Sequence, residues 1–170
     1  MISGQFFGHT HSDSFELYYH DANLSIPASA AFISPSLTTF GKSNPSFRIL
    51  EVFKKSLKIN TIKTYVTDIE EANRLGKPRW ILEYDFKQDF QLADLEATSL
   101  HTFVDRLERD EILFQKYWIY HKKMALNGET CDKSCKEAFL CRLRSSSHRL
   151  ACPTKNNAHL DDSLFVSNSC

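Results

Sequence analysis

The sequence predicts an α+β chain in which a strand-rich first part leads into a helical, cysteine-linked second part. Three observations carry that reading. Short apolar or alternating runs recur at intervals near ten residues up to about residue 70. After Asp94 the hydrophobic period changes from that of a strand to that of a helix. Four of the five cysteines fall between positions 131 and 152.

Taken in order, Gln5-Phe6-Phe7 is a short strand running into Gly8, and Phe15 to Tyr19 alternates apolar and polar positions. Ala30 to Ile33 is an apolar run stopped by Ser34-Pro35. Phe47, Ile49, Glu51 and Phe53 share one face of the next strand, and Ile62 to Val66 is rich in β-branched and aromatic residues. Pro27, Pro35, Gly41 and Asn44-Pro45 punctuate these runs. Strands so spaced suggest a sandwich or half of one. Residues 71–90 are transitional: Gly76-Lys77-Pro78 breaks the chain, and Trp80 to Tyr84 fits either strand or helix.

Leu100, Phe103, Val104 and Leu107 then fall on one helical face. Ile112, Leu113, Phe114, Tyr117, Trp118 and Tyr120 make a second, bulkier helix, and the Cys135–Leu143 region a third. The expected division is residues 1–75, residues 76–152, and a flexible tail over 153–170. Residues from about 95 to 152, with local contacts and cross-links, are expected to hold together without the strands.

Twenty-one basic and 21 acidic side chains cancel. A general nucleic-acid binder needs a basic surplus to neutralise phosphates, so that class is set aside. No apolar run reaches the length of a membrane span, and no signal peptide is visible at the N-terminus. The clustered cysteines point instead to an oxidising compartment. That combination suggests a chain without its front end.

The first 41 residues contain no Lys or Arg, yet hold His9, His11, His20, Asp13, Glu16 and Asp21, a local excess of metal-ligating side chains. His9 and His11 follow a strand-like run. If the strand continues, both imidazoles project from one face, and neutral imidazole is a common zinc ligand.

Gln5-Phe6-Phe7-Gly8-His9-Thr10-His11-Ser12-Asp13-Ser14-Phe15-Glu16 resembles the last metal-ligand block of the acid sphingomyelinases, within the calcineurin-like metallophosphoesterases. The resemblance runs on through Phe32-Ile33-Ser34-Pro35, Asn44-Pro45-Ser46-Phe47-Arg48, Glu71-Ala72-Asn73, Trp80-Ile81-Leu82-Glu83-Tyr84 and the cysteine cluster. Phe7 and Phe15-Glu16-Leu17-Tyr18 favour the sphingomyelinase branch over its acid sphingomyelinase-like sibling. The resemblance implies the terminal strands of a metallophosphoesterase β-sandwich over residues 1–75, followed by a disulfide-linked helical C-terminal subdomain. It implies a two-zinc phosphodiesterase hydrolysing sphingomyelin to ceramide and phosphocholine, with His9 on one zinc and His11 on the other. A secreted or lysosomal location follows.

The family's other ligand blocks, Asp-x-His, Gly-Asp and Gly-Asn-His-Glu, do not occur in this sequence. They precede the first histidine pair in the family order, so the chain corresponds to a C-terminal portion. Taken alone it is expected to be inactive, with no catalytic residue of its own. The rival readings are a phosphodiesterase acting on nucleotides or other phosphodiesters, and a non-catalytic secreted binding module. Tyr19 and Phe40 are the candidates for holding the choline head group, whose quaternary ammonium suits aromatic faces.

Four clustered cysteines allow three pairings. The resemblance points to Cys131–Cys135 and Cys141–Cys152, leaving Cys170 as a potentially free thiol. Cys131, Cys135, His148 and Cys152 also fall within zinc-finger spacing, the competing reading. Asn23-Leu24-Ser25 is the one N-glycosylation sequon, expected in a loop between strands. His101 and His121 are expected at the surface. Trp118, Tyr120, Lys122 and Lys123 of the helical part form a candidate contact with a membrane surface.

Overall fold

The computed structural model describes residues 4–21, 23–41, 43–125 and 130–144. Strands β1 (Gln5–Phe7), β2 (Ser14–Tyr19) and β3 (Pro27–Ile33) form one sheet in the order β1-β3-β2, with β1 parallel and β2 antiparallel to β3. Strands β4 (Ser46–Val52), β5 (Ile59–Val66) and β6 (Ile81–Asp85) form a second, antiparallel sheet in the order β4-β5-β6. The helices are α1 (Ile69–Leu75), α2 (Phe86–Asp89), α3 (Ala97–Arg109), α4 (Glu111–His121) and α5 (Lys133–Leu143). The chain is α+β, as its periodicities indicate.

Local chemistry sets the element ends. Asp68, Asp85, Asp110 and Asp132 cap α1, α2, α4 and α5, each carboxylate accepting from a backbone N–H of the first turn. Gly76 ends α1 in the left-handed conformation (φ 68°), which glycine adopts without a Cβ clash. The region around Trp80 resolves as a strand, because Ile81 and Leu82 pair with Val66 and Tyr65 of β5.

Core packing joins the strand-rich and helical parts. Phe15 and Leu17 of β2 and Phe32 of β3 belong to the same buried cluster as Phe86, Phe90, Phe103, Tyr117 and Phe139. The Phe15 ring lies 5.8 Å from Phe86, 6.2 Å from Phe103 and 6.1 Å from Tyr117. Residues 1–75 and 76–152 therefore do not have separate cores, and the 75/76 boundary falls ahead of a strand that completes the sheet begun by β4 and β5. Nor do residues 95–152 pack independently, since their apolar stripe (Leu100, Phe103, Val104, Leu107) is buried against β2 and β3 among others. The 153–170 segment lies outside the described residues.

Candidate functional site

The histidine pair sits on the loop that leaves β1. Phe7 closes β1 opposite Ile33, and its carbonyl accepts from the Ser34 N–H at 2.7 Å. Beyond Gly8 the chain leaves the sheet. His9 (φ 82°) and His11 (φ 59°) both take the left-handed conformation, uncommon outside glycine. The pair is thus carried by a loop, correcting the expectation of a shared strand face. His9 is exposed, while His11 is partly covered and its Nδ1 is buried without a hydrogen-bond partner among the described residues. Phe40, itself 46% exposed, approaches the His11 ring edge-on at 6.2 Å.

Asp13 holds this loop from below. Its carboxylate is fully buried and pairs with Arg48 of β4; Arg48 Nη1 also donates to the Ile33 carbonyl at 3.0 Å. Thr64 Oγ1 of β5 donates at 2.9 Å and the Tyr84 hydroxyl of β6 at 2.7 Å. His121, ending α4, donates from Nδ1 to the Asp13 carbonyl at 2.8 Å. Counted among potential metal ligands in the sequence, Asp13 is instead saturated by protein donors, a structural anion fixing the loop to four elements. Arg48, Thr64, Tyr84 and His121 are the supporting residues that sequence reasoning missed; Arg48 and Tyr84 lay within quoted motifs but carried no role there.

Electrostatics follow from burial. Burial and the Asp13 charge hold the Tyr84 phenol well above its ordinary value. Against desolvation, Asp13 raises the Arg48 guanidinium. Burial pushes His121 down to about 3, so at neutral pH it is an uncharged donor rather than a surface cation. Glu83 is pushed up to about 9, first by burial and then by Asp13, and neither of its buried oxygens has a hydrogen-bond partner among the described residues.

The other expected residues are dispersed. Tyr19 stands at the far end of β2 from the loop, its hydroxyl 2.9 Å from His101 Nδ1, so it is not brought together with His9 and His11. His101 also lies 3.8 Å from Asp105 and is half-buried. Asn23 is exposed in the turn between β2 and β3, where the Asp21 carboxylate accepts from Ser25 and Ile26. Cys131 and Cys135 are joined, with Cα atoms 5.2 Å apart, which removes both thiols from the zinc-finger reading. Cys141 is also disulfide-bonded; Cys152, Cys170 and His148 lie outside the described residues. Of the helical residues expected to meet a membrane, Trp118 and Lys123 are buried, Tyr120 and Lys122 are partly exposed, and the Lys122 ammonium lies 5.1 Å over the Trp118 ring. Among the described residues no group of three or more His, Cys, Asp or Glu is placed to hold a metal ion.

A family model described as the acid sphingomyelin phosphodiesterase C-terminal region matches residues 26–149. The chain belongs to this family. Human acid sphingomyelinase-like phosphodiesterase 3b is 35% identical over 153 residues, covering 85% of this chain and 33% of that protein. Bovine sphingomyelin phosphodiesterase is 37% identical over 145 residues, covering 82% and 23%. Sphingomyelin phosphodiesterase 1 of Caenorhabditis elegans is 35% identical over 158 residues, covering 90% and 28%. The chain thus spans a quarter to a third of the length of these family relatives. The family match includes Arg48, Thr64, Tyr84 and His121, while His9 and His11 precede it.

Proposed function

We propose that this chain is the C-terminal portion of a zinc-dependent phosphodiesterase that hydrolyses sphingomyelin to ceramide and phosphocholine. The observation that carries the reading is the His9–His11 loop. Two non-glycine residues in the left-handed region, each costing on the order of 1 kcal/mol, persist only where the surroundings over-determine them. Asp13 supplies that determination, and the buried, partnerless Nδ1 of His11 is a donor atom awaiting a ligand from outside the described residues. The names of the relatives support the substrate class.

In this reading His9 holds one zinc and His11 the other. When bound, a zinc pair clamps the phosphate and supplies an activated water. The task of this chain is to fix the two imidazoles and, through the exposed Phe40 ring beside His11, to offer an aromatic face to the choline ammonium. One imidazole per metal falls short of the three protein ligands of a typical catalytic zinc, so the chain alone is inactive. The Cys131–Cys135 bridge and the exposed sequon at Asn23 support a secreted or lysosomal setting.

The test uses the chain alone and a version extended upstream to the length of its relatives. His9→Ala and His11→Ala should each remove most hydrolysis of sphingomyelin by the extended protein and lower its zinc content. The 170-residue chain should show no turnover. Near-normal activity with full zinc in either variant, or zinc-dependent turnover by the short chain, would overturn the reading.

A further inference from the structure

The β4–β5 hairpin tip has no part in the site described above. Residues 52–58, from the last residue of β4 up to the start of β5, are all exposed. Within it Val52 and Phe53 are each 51% exposed and Leu57 61%. The turn is tightly closed: the Phe53 N–H donates to the Lys58 carbonyl at 2.9 Å, and the Leu57 N–H to the Phe53 carbonyl at 2.8 Å. Leu57 sits at φ 56°, a conformation a β-turn can demand and one that holds its side chain in water rather than in the core.

The same seven residues carry Lys54, Lys55 and Lys58 and no carboxylate, in a chain whose net charge is zero. Lys58 reaches Glu96 at 3.1 Å, whereas Lys54 and Lys55 make no ion pair among the described residues. Two large apolar side chains on a hydrogen-bonded turn, flanked by lysines, are complementary to one kind of surface. An anionic bilayer accepts the apolar groups at the acyl boundary while the flexible lysine stems reach back to the head groups. A protein partner would need roughly 800 Å² per side, more than a seven-residue turn offers.

We propose that the Phe53–Leu57 tip is an insertion element that binds the protein to anionic lipid surfaces. The proposal stands apart from the phosphodiesterase reading, because partitioning is measured without turnover.

Co-sedimentation of the 170-residue chain with phosphatidylcholine vesicles, with and without about 30 mol% phosphatidylserine, tests it at about 0.1 M salt. Binding should require the anionic lipid. K54Q/K55Q should weaken it about thirtyfold, and F53S/L57S at least about tenfold, with urea midpoints unchanged because the replaced side chains are exposed. In F53W, the added indole should shift blue and resist quenching on anionic vesicles only. Equal binding to neutral vesicles, or an F53W spectrum unmoved by anionic lipid, would overturn the proposal. Loss of binding in K54Q/K55Q but not in F53S/L57S would make the contact purely electrostatic and sink insertion. So would capture by polyglutamate as tight as by vesicles, which would mark an acidic polypeptide as the occupant.

Discussion

A buried carboxylate survives in a protein only when its charge and lone pairs are answered, and Asp13 is answered by Arg48, Thr64 and Tyr84. Its neighbour Glu83 is not: both oxygens are buried and unbonded, which favours the protonated form. The sign follows directly. Glu83 binds its proton more tightly folded (about 9) than unfolded (4.5), so its contribution is complete below pH 4.5 and is lost as pH rises towards 9. Between pH 5 and 8 this should cost about 3 kcal/mol, discounted for the group's partial exposure. Glu83→Gln keeps the shape and abolishes the titration. Urea midpoints should therefore be similar for wild type and variant at pH 5 and diverge in favour of the variant at pH 8; parallel profiles would contradict the assignment. None of this was legible locally. Thr64 and Tyr84 stand 51 and 71 residues from Asp13, and nothing in the short His9-to-Asp13 segment separates a metal ligand from a structural anion.

At the scale of elements, legibility tracked burial. Helices α3, α4 and α5 each bury three or four apolar side chains, and their periodicity locates them. Helix α1 buries no residue, so it has no apolar stripe to read; its Asp68 cap and Gly76 stop were the only signals. The Cys131–Cys135 bridge spans the N-cap of α5, tying the residue before Asp132 to the helix's first turn. Closing so short a loop should contribute about 2 kcal/mol. C131S/C135S should lower the unfolding free energy by that amount while Phe139 stays buried against Phe114 and Tyr117, visible as retained near-ultraviolet circular dichroism. A loss of near-ultraviolet signal would mean that the bridge, rather than the aromatic packing, places α5.

For the whole molecule, the aromatic cluster running from Phe15 through Phe86, Phe90 and Phe103 to Tyr117 and Phe139 unites strands and helices in one core. Tryptic cleavage should begin at Lys54 and Lys55 on the exposed hairpin tip, while β2 and β3 remain associated with α3, α4 and α5. Mass spectrometry of the resistant material decides the matter. Release of the helical part free of residues 14–33 would show that the core is not shared.

By itself the sequence determined the α+β class, most strands, the three long helices and the histidine pair, because periodicity and motif spacing are properties of neighbouring residues. Tertiary structure alone decided that His9 and His11 ride a loop locked by Asp13, that Tyr19 turns away towards His101, and that His121 is an interior donor. It also decided that strands and helices share one core. Each of these depends on partners dozens of residues apart, whose meeting is set by how the sheets and helices pack, and packing leaves no trace in local sequence.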